Sequence, residues 1–113
     1  MKIIKTLFFH SLVLTLLLAG FNAYAADQSI CHSGTKILLH NNGSLQTCQL
    51  KSNYDVNSIQ CKGDAPISFY SNDRLESCVL AQSTSIGMIQ CQQNGLITFF
   101  IDGNLKSCTK PSN

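Results

Sequence analysis

Six cysteines at 31, 48, 61, 78, 91 and 108 are the residues of this chain best able to do chemistry. Cysteine can hold a metal, attack a carbonyl, exchange electrons or cross-link, and spacing separates these roles. Structural zinc wants close pairs such as Cys-x-x-Cys, and no such pair occurs. A thioredoxin-like redox pair wants the same spacing in a βαβ setting, also absent. A nucleophilic thiol needs a base. His32 adjoins Cys31, but neighbours in an extended strand point to opposite faces, and His40 is the only other histidine after residue 25. Paired carboxylates for glycoside chemistry are missing, because Glu76 is the only glutamate in the chain. Cross-linking remains, and Cys31, Cys48, Cys61, Cys78, Cys91 and Cys108 read as a disulfide framework.

A disulfide framework needs an oxidising compartment, and residues 1–25 supply the address. Lys2 and Lys5 precede the apolar run Leu12-Val13-Leu14-Thr15-Leu16-Leu17-Leu18-Ala19, and Ala23-Tyr24-Ala25 is a small-x-small cleavage site. A membrane span is the competing reading, but His10, Ser11 and Thr15 interrupt the run. The segment therefore predicts a signal peptide cut after Ala25, with the product periplasmic or extracellular and without a membrane span. The remaining domain, 26–113, sets Lys36, Lys51, Lys62, Arg74, Lys106 and Lys110 against Asp27, Asp55, Asp64, Asp73, Glu76 and Asp102. A neutral surface with scattered charge has no electrostatic footprint for nucleic acid.

The cysteines also set the organisation. Cys31, Cys61 and Cys91 are 30 residues apart, as are Cys48, Cys78 and Cys108. The residues between them align in columns: Ile37-Leu38-Leu39-His40 with Ile67-Ser68-Phe69-Tyr70 and Ile97-Thr98-Phe99-Phe100, then Leu45, Leu75 and Leu105. Three units, 31–60, 61–90 and 91–113, imply a repeat architecture. Each reads as a β-hairpin: a short strand, an Asn/Asp/Gly turn and a returning strand Leu-x-[Ser/Thr]-Cys. A second turn is expected at Ser52-Asn53 and at Ser83-Thr84-Ser85, with a third short strand ending at the next cysteine. The expected fold is all-β, an antiparallel meander of about three strands per unit, as an open twisted sheet or a closed pseudo-threefold barrel.

The hairpin turn decides which side chains face inward. A three-residue turn with a glycine-type bulge sets 37 opposite 47 and 39 opposite 45, which puts Ile37, Leu39 and Leu45 on one face and Gln46, Glu76 and Lys106 on the other. A two-residue turn sets 37 opposite 48 and brings the charges inward. One residue of slip swaps the faces, and the first register is preferred because it keeps charge out of the core. Two bridge schemes remain open. Within-unit pairing joins Cys31–Cys48, Cys61–Cys78 and Cys91–Cys108. Between-hairpin pairing joins Cys48–Cys61 and Cys78–Cys91, with Cys31–Cys108 added if the sheet closes, and strand geometry favours it.

Few surface residues invite a functional reading. His40, Tyr70 and Phe100 form a column that could stack on a flat ligand such as a sugar, although aromatics in strands more often pack. Asn42-Gly43-Ser44 is a glycosylation sequon, yet it coincides with a turn that accounts for both Asn42 and Gly43. Asn72, Asp73, Asp102 and Asn104 lack the dense carboxylate spacing of a calcium loop and read as turn residues.

Phe69-Tyr70-Ser71-Asn72-Asp73-Arg74-Leu75 and Phe99-Phe100-Ile101-Asp102-Gly103-Asn104-Leu105 resemble the core of MORN-type hairpin repeats, most closely the variant of bacterial YwqK-type antitoxin-like proteins. The resemblance covers about seven residues in each unit. It implies hairpins added edgewise into an elongated sheet that serves as a scaffold for protein or lipid contact. The unit here is longer than the family's and carries two cysteines, and no family site residue transfers to it.

The function expected from these residues is a non-enzymatic binding or structural module that contacts an unknown protein or an envelope component and needs no cofactor. Inhibition of a secreted or periplasmic hydrolase is the alternative, and thiol-based catalysis ranks below both. Closing a loop of about 15 residues stabilises a domain by about 3 kcal/mol on the chain-entropy argument. Two or three such bridges rival the whole net stability of a small domain, about 5–15 kcal/mol. Reduction is therefore expected to unfold the protein. Thermal melts with and without reductant test this, and an unchanged midpoint would refute it.

Overall fold

The computed structural model describes residues 27–112. The signal peptide and cleavage site expected within residues 1–25 lie outside them. Ten short strands follow a 3-10 turn at Gln28–Ile30: β1 Leu38–Leu39, β2 Leu45–Gln49, β3 Tyr54–Val56, β4 Ile59–Cys61, β5 Pro66–Phe69, β6 Leu75–Val79, β7 Thr84–Ile86, β8 Ile89–Cys91, β9 Leu96–Phe99 and β10 Leu105–Cys108. Six form one antiparallel sheet in the order β1-β2-β5-β6-β9-β10, while β3-β4 and β7-β8 are separate two-stranded ribbons. β1 and β10 are the outer strands, so the sheet is open, not a barrel. No helix among the described residues is long and apolar enough to cross a membrane.

The hairpin turn has three residues. The His40 amide donates to the Ser44 carbonyl, the Tyr70 amide to Arg74 and the Phe100 amide to Asn104, each at 2.8 Å. Gly43, Asp73 and Gly103 close these turns in the left-handed region at φ of 88°, 67° and 95°, where glycine is free and Asp is tolerated. The side chains of Asn42, Asn72 and Asp102 each accept the amide two residues on.

Neither expected register holds alone. Leu39 faces Leu45, Phe69 faces Leu75 and Phe99 faces Leu105, as the three-residue turn requires. Further from the turn, however, Ile67 faces Cys78 and Ile97 faces Cys108, as in the two-residue alternative. A bulge reconciles the two. One extra residue in each returning strand, Gln46, Glu76 or Lys106, falls where the register shifts. The leucine before it and the cysteine after it can then both point inward.

This register builds the core. Cys48, Ile67, Cys78, Ile97 and Cys108 are paired in sequence across the sheet. Ile67 and Ile97 are fully buried, and Cys48 and Cys78 nearly so. Beside them pack Leu45, Phe69, Leu75 and Phe99. The polar row Thr47, Ser68, Ser77, Thr98 and Ser107 runs parallel to it across the same strands. Its hydroxyls pair across strands, Ser68 with Thr47 at 3.0 Å and Thr98 with Ser107 at 2.7 Å.

The bridges are Cys31–Cys48, Cys61–Cys78 and Cys91–Cys108, with Cα separations of 5.8, 5.7 and 5.5 Å. This corrects the favoured between-hairpin scheme. That scheme placed the second turn too early: Ser52-Asn53 precede β3, and Thr84 and Ser85 lie within β7. The ribbons turn instead at Asn57-Ser58 and Gly87-Met88, so the residue opposite Cys61 is Tyr54 and the residue opposite Cys48 is Ile67. Asn57 and Ser58 both have positive φ, as a type I′ turn needs, whereas at the second turn Gly87 alone of the pair does, as in type II′. Each unit followed by a ribbon therefore contributes four strands rather than three.

Replacing fully buried Ile67 with Ala is expected to cost about 2–5 kcal/mol. The same change at Leu38, which is 38% exposed, should cost less than about 1 kcal/mol. Urea denaturation of the two variants checks the ranking.

Candidate functional site

All six cysteines are consumed in bridges. Cys61 and Cys91 are fully buried, and each anchors the base of a ribbon to the returning strand of the following hairpin. The described residues contain no cluster of three or more His, Cys, Asp or Glu side chains that could hold a metal ion. Asp27 caps the 3-10 turn, and hydrogen bonds from the Ser29 hydroxyl and amide hold its carboxyl below the usual range.

The column His40, Tyr70 and Phe100 divides by chemistry. His40 Nε2 donates to the Phe69 carbonyl at 2.8 Å, and the Tyr70 hydroxyl donates to the Phe99 carbonyl at 2.7 Å. Each ring thus ties its hairpin to the next. Phe100 has no polar tip. It is 48% exposed, and the Lys106 ammonium lies 5.7 Å from its ring centre. The turn amides follow the same logic. Asn42 Nδ2 donates to the Ser71 carbonyl and Asn72 Nδ2 to the Ile101 carbonyl. The sequon nitrogen is thus already engaged within the fold. Asp102, in the matching place, has no amide to donate; its carboxylate binds Asn104.

Two features escaped the sequence reading. The first is a cleft of about 460 Å³ between the ribbons. Val56 and Ile59 of the first ribbon, Ile86 of the second, and Leu75 and Phe99 of the sheet supply its apolar lining, and Arg74 its charge. The Arg74 guanidinium donates to the Asp102 carbonyl. Among the described residues its side chain has no carboxylate partner, the one ion-pair contact being His32 with Asp64. Gly103 makes room for it, because a Cβ there would sit 2.8 Å from Arg74 Nη1. A sequence signal existed in retrospect: Arg74 stands where the flanking units have Ser44 and Asn104.

The second feature is apolar exposure toward the β10 end of the chain. Met88 is fully exposed, Ile89 is 40% exposed and Ile101 is 57% exposed. Ile59, thirty residues before Ile89, is only 8% exposed. Met88 and Ile89 line a shallow pocket together with Gln90, Lys110 and Pro111.

Comparison with family models, with curated proteins and with solved structures finds no match to this chain.

Tyr70→Phe removes one hydrogen bond and leaves the Phe99 carbonyl short of a donor, which is expected to cost about 1 kcal/mol. Phe100→Ala makes no such loss and should stay within about 0.5 kcal/mol of the parent. Equal destabilisation in paired urea titrations would contradict the tie assigned to Tyr70.

Proposed function

We propose that this protein is an exported, disulfide-stapled binding module that contacts a protein or envelope component. The observation that carries the reading is the concentration of exposed large apolar side chains between residues 88 and 101, in the second ribbon and the last hairpin: Met88, Ile89, Leu96, Phe100 and Ile101. Exposed apolar surface of this kind marks interaction sites more often than isolated surface residues do. The three bridges suit an oxidising compartment. Together with the export segment read from residues 1–25, they support the periplasm or the outside of the cell. The resemblance to MORN-type hairpins points the same way, toward a scaffold that offers a surface rather than a reaction.

The frame suits that role. Bridges at 17-residue spacing in every unit hold both ribbons against the sheet, so a partner would meet a preorganised surface and lose little ordering entropy on binding. Tethering the disulfide-bonded protein to beads and incubating it with envelope fractions of the producing cell tests the reading. Met88→Ser with Ile101→Ser is expected to reduce retention of a bound component at least about tenfold, as losing two apolar anchors should. Retention that is equal for parent and variant would overturn it.

A further inference from the structure

We propose that the cleft between the two ribbons binds a small aromatic carboxylate, with its ring on the apolar floor and its anionic group at Arg74. This site goes beyond the surface argued above and is formed by different residues.

Three observations converge on this ligand. The cleft, at about 460 Å³, falls in the usual range for small-molecule sites, about 300–1,000 Å³. Its floor and walls are apolar where a ring would lie: Leu75 and Phe99 below, Val56, Ile59 and Ile86 at the sides. The charge at its edge has one sign. Arg74 lines the cleft, no acidic residue does, and the bond to the Asp102 carbonyl occupies only part of the guanidinium fork. An arginine anchored on one side and unpaired with any carboxylate is a ready partner for a bidentate anion.

Comparison of the units shows why the space is open. Thr84 lines the cleft, and thirty residues earlier the first ribbon carries Tyr54, half-buried against the core. The second ribbon thus presents a side chain smaller by a phenol ring at the corresponding place. Arg74, too, occurs only in the middle unit, the one that has a ribbon on either side of it in the chain. The two differences between units, threonine where the other ribbon has tyrosine and arginine where the flanking hairpins have serine and asparagine, meet at one cleft, and an aromatic anion complements both.

Titration of the disulfide-bonded protein with naphthalene-2-carboxylate, followed by backbone amide NMR, tests the proposal. Shifts are expected at Asn57, Ser58 and Ser85–Gly87, with a Kd of about 1 mM or tighter for a ligand of this size. Arg74→Gln removes the guanidinium while leaving a neutral polar side chain at the cleft edge, and should weaken binding at least about tenfold. The neutral naphthalene-2-carboxamide should bind the parent correspondingly less well. Thr84→Tyr should abolish binding while raising the thermal midpoint, a readout that separates a filled cleft from a misfolded chain. Absence of shifts at the cleft, or binding that survives both substitutions, would overturn the assignment. Binding of a Gly-Gly-Phe peptide, but not of naphthalene-2-carboxylate, would assign the cleft to a protein C-terminus and overturn it equally.

Discussion

One extra residue in each returning strand holds the architecture together. Leu45 and Cys48 are three positions apart, so in a regular strand their side chains would point to opposite faces. Both are buried, and the bulge at Gln46 makes that possible. The same device acts at Glu76, between Leu75 and Cys78, and at Lys106, between Leu105 and Cys108. It also takes the bulged residue, which is charged in two of the three units, out of the ladder. Without it the hairpin would have to bury either the leucine or the cysteine, and the half-cystine row across the sheet would not form.

That row compensates for the thinness of a small β-domain. Side chains on the inward face alternate between isoleucine and half-cystine across successive strands, and Leu50 and Leu80 are fully buried beside the bridged segments. Each bridge constrains the unfolded chain while its sulfur atoms fill space in the core. The hairpins are joined a second time at their tips, where His40, Asn42, Tyr70 and Asn72 reach carbonyls of the following hairpin. Phe100 and Asp102 occupy the same places in the last hairpin and lack the donor groups for such bonds. The last hairpin therefore presents an apolar ring and a carboxylate where the others present connections.

Regularity supplies the scaffold, and departures from it supply the candidate sites. A ribbon turn with Asn57-Ser58 becomes Gly87-Met88, which leaves Met88 fully exposed. Tyr54 gives way to Thr84, and Ser44 to Arg74, and the ribbons then enclose a cleft with one positive group at its edge. None of these changes alters the pairing of the main sheet, because they sit at ribbon tips, turns and cleft walls rather than in the inward rows.

The thirty-residue spacing of the cysteines, the hairpin turns at Asn42-Gly43, Asn72-Asp73 and Asp102-Gly103, and the all-β class were legible in the sequence because they depend on local chemistry: a left-handed residue in a turn and apolar side chains at fixed offsets. The inward positions of Ile67, Phe69 and Leu75 followed from the same pattern. The disulfide partners were not legible. They depend on where the ribbon turns, and Gly87 was the one strong local marker of a two-residue loop, with Asn57 a weaker one at the first ribbon. Nor was the bulge within the returning strand at Gln46, Glu76 and Lys106, which satisfies two registers that look mutually exclusive when each strand is taken as regular. The cleft was the least accessible, since Arg74, Thr84 and Phe99 are brought together only by the strand order β6-β9 and by ribbons folded beside it. Local periodicity determined which residues pair within a hairpin. The packing of hairpins and ribbons against one another decided which sulfurs meet and which side chains share a cavity, because those distances are set by contacts between segments far apart in the chain.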